Sequence, residues 1–181
     1  TMLEERGVSY HPQHAVAGVD PAGKVIRFQN GATAEYDLLA YVPPHVAPAV
    51  VVSSGLANES GWVPVDRRTM ETTHRNVFAI GDVTTVPLTV KLPLPKAGTF
   101  AYGQGLAVAQ TIVRRVAGDS GFAAKFSGFG ECFLETGGGR AAIGRGDFYA
   151  EPAPEIRLRP PSRLWHLGKV WFEKQWLRRW L

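Results

Sequence analysis

The chain has 181 residues, 45% of them hydrophobic and 20% charged, and a formal net charge of +4. That length and composition allow a packed core in one ordinary domain or two small ones, and they exclude global disorder. A single cysteine, Cys132, excludes an internal disulfide and a cysteine-built metal site; the five histidines lack ligand spacing, so no metal residues are expected.

In chain order, Met2–Val8 reads as the last turn of a helix closed by Gly7. The first residues do not resemble a basic-then-apolar leader. Short segments follow at 14–19, 24–29 and 32–36, separated by Asp20-Pro21-Ala22-Gly23 and Asn30-Gly31. These turn signals predict a small antiparallel meander. Residues 38–56 carry no charged side chain, but Pro43, Pro44 and Pro48 exclude a spanning helix there. Leu38–Val42 reads instead as a strand buried on both faces, with an irregular loop after it.

A short strand is expected at Trp62–Val65 and a buried one at Phe78–Ile80, ending in Gly81-Asp82. A Pro-rich loop over 84–98 leads to a helix over 99–117. Its apolar stripe is read as Ala101, Gly105, Val108, Ile112 and Val116, with Arg114 and Arg115 near the end and Gly118 as the stop. Glu131–Leu134, Gly137-Gly138-Gly139 and Arg140–Tyr149 predict a hairpin. Pro152, Pro154, Pro160 and Pro161 read as a stiff linker before an amphipathic helix over 164–181.

The basic charge is concentrated at the end. Residues 157–181 hold seven basic side chains and one acid, Glu173, and Trp165, Trp171, Trp176 and Trp180 are interleaved with them. Tryptophan suits a membrane–water interface, and Arg and Lys meet anionic headgroups there. The segment over 160–181 is therefore expected to lie on a membrane surface. No nucleic-acid recognition module accompanies the Arg and Trp residues, so nucleic acid is not an expected partner.

The chemistry is centred on Val77–Val83. An apolar run ending in Gly-Asp delivers a carboxylate to the C-terminal edge of a sheet, and the next helix begins with uncompensated N–H groups and a partial positive charge. The chain has no glycine-rich phosphate loop.

The order of segments resembles the sulfide:quinone oxidoreductase-like branch of the FAD-dependent pyridine nucleotide-disulfide oxidoreductases. The segments are Tyr36–Leu39 with Val42–His45, Val77–Val83, Leu94–Gly98, Gln104 with Ala107–Ile112, Glu131–Glu135, and Phe172-Glu173-Lys174. The resemblance implies an α/β fold, α+β within this chain. It is that of the C-terminal half of a flavoprotein with two dinucleotide-binding, Rossmann-like domains. On that basis residues 1–76 are the remainder of an NAD(P)-type domain with its meander. Residues 77–118 are the return segment of the FAD domain, and 119–181 are a hairpin and a helix facing membrane and quinone.

The resemblance also implies roles. FAD is the expected cofactor of the intact protein, with NAD(P) as a second candidate. Asp82 would bind the ribityl chain, Gly81 would allow close approach, and Lys96, Ala97 and Gly98 would lie against the ring. Cys132 would carry sulfur, and Lys169 and Phe172 would line a quinone site. The expected partners are a missing N-terminal half, quinone and a membrane surface. The isolated piece would expose surfaces meant for that half, which opens a homodimer. The expected place is cytoplasmic, peripheral at the inner face of the membrane.

Three readings stay open. Electrons pass from sulfide or another reduced donor through FAD to quinone; or the donor is NAD(P)H and Cys132 is structural; or the chain alone is a non-catalytic membrane-surface or assembly module.

Overall fold

The computed structural model describes residues 2–181. The chain divides into two compact units, Thr1–His45 and Val46–Leu181.

In the first unit a 3-10 turn at Glu4–Arg6 ends on Gly7, whose φ of +67° is the left-handed stop read from the sequence. Strands β1 (Val16–Asp20), β2 (Val25–Phe28) and β3 (Thr33–Glu35) form the antiparallel meander in the order β1-β2-β3. The side-chain oxygen of Asp20 accepts the N–H groups of Ala22 and Gly23, both at 3.1 Å. That of Asn30 accepts from Ala32 at 3.0 Å. These side chains satisfy turn backbone, which is why Asp and Asn stand there. The strand expected at Leu38–Val42 is not formed: Leu38 is 89% exposed, and no ladder partner reaches it. An apolar run becomes a buried strand only where neighbours cover both faces.

In the second unit, α1 (Ala49–Ser53) replaces part of the expected irregular loop; it starts after Pro48, whose fixed φ suits a helix entry. Strands β4 (Val63–Pro64) and β5 (Thr84–Thr85) pair in parallel over two residues. The strand expected at Phe78–Ile80 is reduced to one antiparallel bridge between Phe78 and Glu71, followed by a 3-10 turn at Gly81–Val83. Helix α2 spans Gly98–Val116.

The buried face of α2 is Phe100, Gln104, Ala107, Val108 and Thr111, which shares only Val108 with the stripe read from hydrophobicity. Ile112 and Val116 are 46% and 83% exposed. Two polar residues take core positions because both are satisfied. Thr111 Oγ1 donates to Ala107 at 2.9 Å and accepts from the Ala124 N–H at 3.0 Å, and Gln104 Oε1 accepts a loop N–H. Against this face pack Met70, Val86, Leu88, Leu94, Phe126 and Tyr149.

Strands β6 (Phe129–Gly137), β7 (Arg140–Asp147) and β8 (Glu155–Ser162) form an antiparallel sheet in chain order. β8 occupies the expected stiff linker. It is an edge strand, and Pro160 and Pro161 fall where its register shifts, between the pairs Ile143↔Arg159 and Ala141↔Ser162. Proline is tolerated at an edge and a bulge because no ladder hydrogen bond is lost. Helix α3 (Arg163–Trp180) is capped by Ser162, whose Oγ accepts from the Trp165 N–H at 3.2 Å, and it packs chiefly on β7. No described helix is long and apolar enough to cross a membrane.

Candidate functional site: a groove between the start of α2, β6 and α3

The Gly81–Asp82 loop is held from three sides. Gly81 has φ +69°, a conformation other residues rarely adopt, and a Cβ there would stand 3.2 Å from that of Ala101 on α2. Its N–H donates to Gln104 Oε1 at 2.7 Å, and its carbonyl accepts from Thr84 Oγ1 at 2.8 Å. The third side is Lys96. Its ammonium donates to the Asp82 carbonyl and, at 3.2 Å, to the Thr84 carbonyl, and it lies 3.5 Å from the centre of the Trp62 ring. Burial pushes the Lys96 ammonium below the usual lysine range, and the Asp82 carboxylate opposes that shift. The Asp82 carboxylate itself is exposed and has no hydrogen-bond or ion-pair partner among the described residues.

Immediately beyond lies the start of α2. Its N-cap is Ala97, which has no side-chain acceptor, so the first N–H groups carry no cap. Thr99 Oγ1 donates to the Glu131 carbonyl at 2.9 Å and pins this end against β6.

Five of the residues singled out in the sequence line one groove of about 440 Å³: Ala97, the N-cap of α2, and Gly98, its first residue, Cys132 from β6, and Lys169 and Phe172 from α3. Gly81, Asp82 and Lys96 surround a small recess beside it, which Ala97 shares. Cys132 is exposed, and its cross-strand neighbour is Gly144, which has no side chain to cover it. The floor is aromatic: Phe133 to Phe172 at 6.1 Å between ring centres and Phe172 to Trp176 at 5.8 Å; Tyr102, outside the groove, stands edge-on to Trp176 at 5.4 Å. Lys169 Nζ stands 3.5 Å from Glu135 and 3.6 Å from Glu173.

Sequence reasoning missed four contributors. Trp62 shows no signal for its place under Lys96, because the two are joined only by the fold. Thr99 was read as a helix start and not as a tether. Glu135 lies within the matched segment Glu131–Glu135 but was given no role. His166, which contacts Glu135 at 3.1 Å, stands one helical turn from Lys169, a spacing readable in advance. Among the described residues no group of three His, Cys, Asp or Glu side chains is placed to hold a metal ion.

No protein-family model matches the chain. Among curated proteins it is 28% identical over 158 residues to the mitochondrial sulfide:quinone oxidoreductase of Mus musculus, covering 83% of this chain and 34% of that protein. It is 29% identical over 189 residues to the sulfide-quinone reductase of Aquifex aeolicus, covering 97% of this chain and 42% of the relative. Among solved structures, the sulfide:quinone oxidoreductase of Aquifex aeolicus superposes with a TM-score of 0.78 at 25% identity, covering 98% of this chain and 43% of that one. The chain thus spans about a third to two fifths of the length of the curated relatives it matches. In sequence and in mixed helix-and-strand fold alike, this chain is sulfide:quinone oxidoreductase-like over nearly all of its own length.

Proposed function

We propose that the protein carrying this chain is an FAD-dependent oxidoreductase that takes two electrons from sulfide and passes them to quinone. The observation that carries this reading is the meeting of Cys132, Lys169 and Phe172 with the uncapped start of α2 in one groove.

The residues present suit FAD. The Asp82 carboxylate is exposed, has no hydrogen-bond partner among the described residues and can accept a hydrogen bond from a ribityl hydroxyl. The Gly81 backbone allows close approach, and the free N–H groups at Gly98 and Thr99 are preorganised donors for negative charge on the ring system. Bound there, FAD would supply two-electron storage. Lys96 braces the loop that presents Asp82, so its contribution includes positioning the carboxylate. The phosphate-binding part is expected from another segment of the protein, the N-terminal partner half, since this chain has no glycine-rich phosphate loop.

Cys132 is exposed and its residue lines the groove; sulfur chemistry at a thiolate requires such access. A quinone ring fits the aromatic floor at Phe172, with a carbonyl oxygen toward Lys169 Nζ. On α3, Leu164, Leu167, Trp171 and Trp180 are exposed beside Arg178 and Arg179. That supports attachment to a membrane surface, beside the bilayer in which quinone dissolves.

The test is direct. The purified protein should show a bound-flavin spectrum that sulfide bleaches and a short-chain quinone restores; Cys132→Ala should block the sulfide step and leave dithionite reduction intact. Absence of flavin would overturn the reading. Bleaching by NADH alone, unaffected by Cys132→Ala, would replace it with an NAD(P)H dehydrogenase in which Cys132 is structural.

A further inference from the structure

Two side chains next to Lys169, Glu135 and His166, have no part in the reaction proposed above. Lys169 is the one basic residue lining the groove among the described residues. Its ammonium is 3.5 Å from Glu135. The same carboxylate is met from its other side by His166 Nδ1, 3.1 Å from Oε1 and 3.3 Å from Oε2. His166 and Lys169 stand one turn apart on α3, and Glu135 reaches up from β6. The three form an unbroken line from an imidazole with 33% side-chain exposure to an ammonium in the groove.

Other charged groups share this face of the sheet. Phe133 and Glu135 touch α3, so the register places Glu131 of β6, Arg145 of β7, and Arg157 and Arg159 of β8 on the same side. Among the described residues only Glu135 is in hydrogen-bond contact with the imidazole.

We propose that His166, Glu135 and Lys169 are a proton relay that supplies a quinone in this groove. The proposal rests on the quinone reading above. A quinone becomes a quinol by taking up two electrons and two protons. The flavin chemistry of the proposed function would provide the electron pair and one proton; the relay supplies the other. A proton leaves Lys169 Nζ for the quinone oxygen as the O–H bond forms. The Lys169 amine regains one through the Glu135 carboxylate from the His166 imidazolium, and His166 is reloaded from water. Imidazole is the side chain suited to that last exchange near neutral pH. Lys169 touches the substrate; Glu135 and His166 act through it.

The experiment uses the flavin-loaded protein, reduced anaerobically with dithionite and mixed with decylubiquinone from neutral to mildly alkaline pH. Three readouts are taken: return of flavin absorbance, proton uptake by an indicator dye, and quinone affinity from quenching of tryptophan fluorescence. His166→Gln should leave affinity unchanged and slow reoxidation and proton uptake about 10-fold or more, as loss of a general acid does. Added imidazole should restore the rate. Glu135→Gln should show the same slowing and carries the test if His166→Gln does not fold. Rates equal to the unsubstituted protein at every pH, or slowing that imidazole does not relieve, would overturn the relay and leave the quinone site standing. Failure of decylubiquinone to reoxidise the unsubstituted protein would overturn the quinone reading and the relay with it.

Discussion

Gln104 and Gly81 are joined by a 2.7 Å hydrogen bond from the loop N–H to the carboxamide oxygen. Gln104 is only 2% exposed, so the helix core is keyed directly to the loop that presents Asp82. Gln104→Leu keeps the volume roughly and removes the acceptor. An N–H left unpaired in partly buried surroundings costs about 1–3 kcal/mol. Gly81→Ala attacks the same joint from the other side: its positive φ and its 3.2 Å approach to Ala101 predict a loss of about 1–3 kcal/mol. Urea unfolding midpoints check both. A midpoint unmoved by Gln104→Leu would mean that water replaces the carboxamide without penalty.

Lys96 has a second structural consequence. Its ammonium bridges the Asp82 and Thr84 carbonyls while stacked 3.5 Å from the Trp62 ring centre. Lys96→Met keeps the stem and removes the charge, the two donated bonds and the cation–π contact. The backbone over 81–85 should then exchange its amide hydrogens faster, while the sheet over 129–147 should not change. Hydrogen-exchange mass spectrometry reads both regions in one measurement. Equal exchange over 81–85 in Lys96→Met and the unsubstituted protein would show that Lys96 is not the brace.

These two joints also show what the sequence could and could not disclose. The hairpin at Gly137–Gly139, helix α2 and helix α3 were all legible, because each depends on local turn chemistry, caps and periodicity. The buried face of α2 was read about one position off because apolarity alone ranks Ile112 above Thr111. The burial of Thr111 depends on a distant partner, the Ala124 N–H. Phe78–Ile80 has the composition of a buried strand, yet Phe78 finds only Glu71 as a bridge partner, since a strand is defined by neighbours and not by its own residues. β8 was hidden by prolines that an edge bulge accommodates. In the groove, the ingredients Cys132, Lys169 and Phe172 were readable one by one, with their common location implied only by resemblance. The Trp62 stack and the Glu135–His166 contact arise from tertiary proximity and had no local signature.

Glu71 gives the fold an acid-sensitive joint. Its carboxylate receives both arms of Arg115, at 2.8 and 3.0 Å, and the Asn76 N–H at 2.7 Å. The Arg115 hydrogen bonds, followed by the Asn76 N–H, hold its carboxyl at about 2, below the ordinary 4.5. A carboxyl with a depressed folded-state pKa binds fewer protons folded than unfolded. Its stabilisation is therefore complete above about 4.5 and is lost as pH falls toward about 2. Glu71→Gln should destabilise the protein at neutral pH by about 2 kcal/mol, the scale of a charge-assisted hydrogen bond. The difference between the two proteins should shrink across that acid window. Thermal melts of both over the acid range check it; a constant difference would show that Glu71 is not the group that titrates.

The accessibility of Cys132 is set on the neighbouring strand. Gly144 faces it across the β6–β7 ladder, and side chains of directly opposed residues lie on the same face. A Cβ at Gly144 meets nothing closer than Leu158 Cδ1 at 3.7 Å, an ordinary contact, and the position needs no left-handed backbone. Gly144→Val should therefore fold, with a stability equal to or above that of the parent, since valine suits a strand better than glycine does. Its two methyl groups would fill the channel beside the thiol. Alkylation of Cys132 by iodoacetamide should slow, and a bulky disulfide reagent should slow more, while the melting temperature holds. If both reagents react at the parental rate, the approach to Cys132 runs from the α2 side of the groove. Substitutions at Ala97 would then control it.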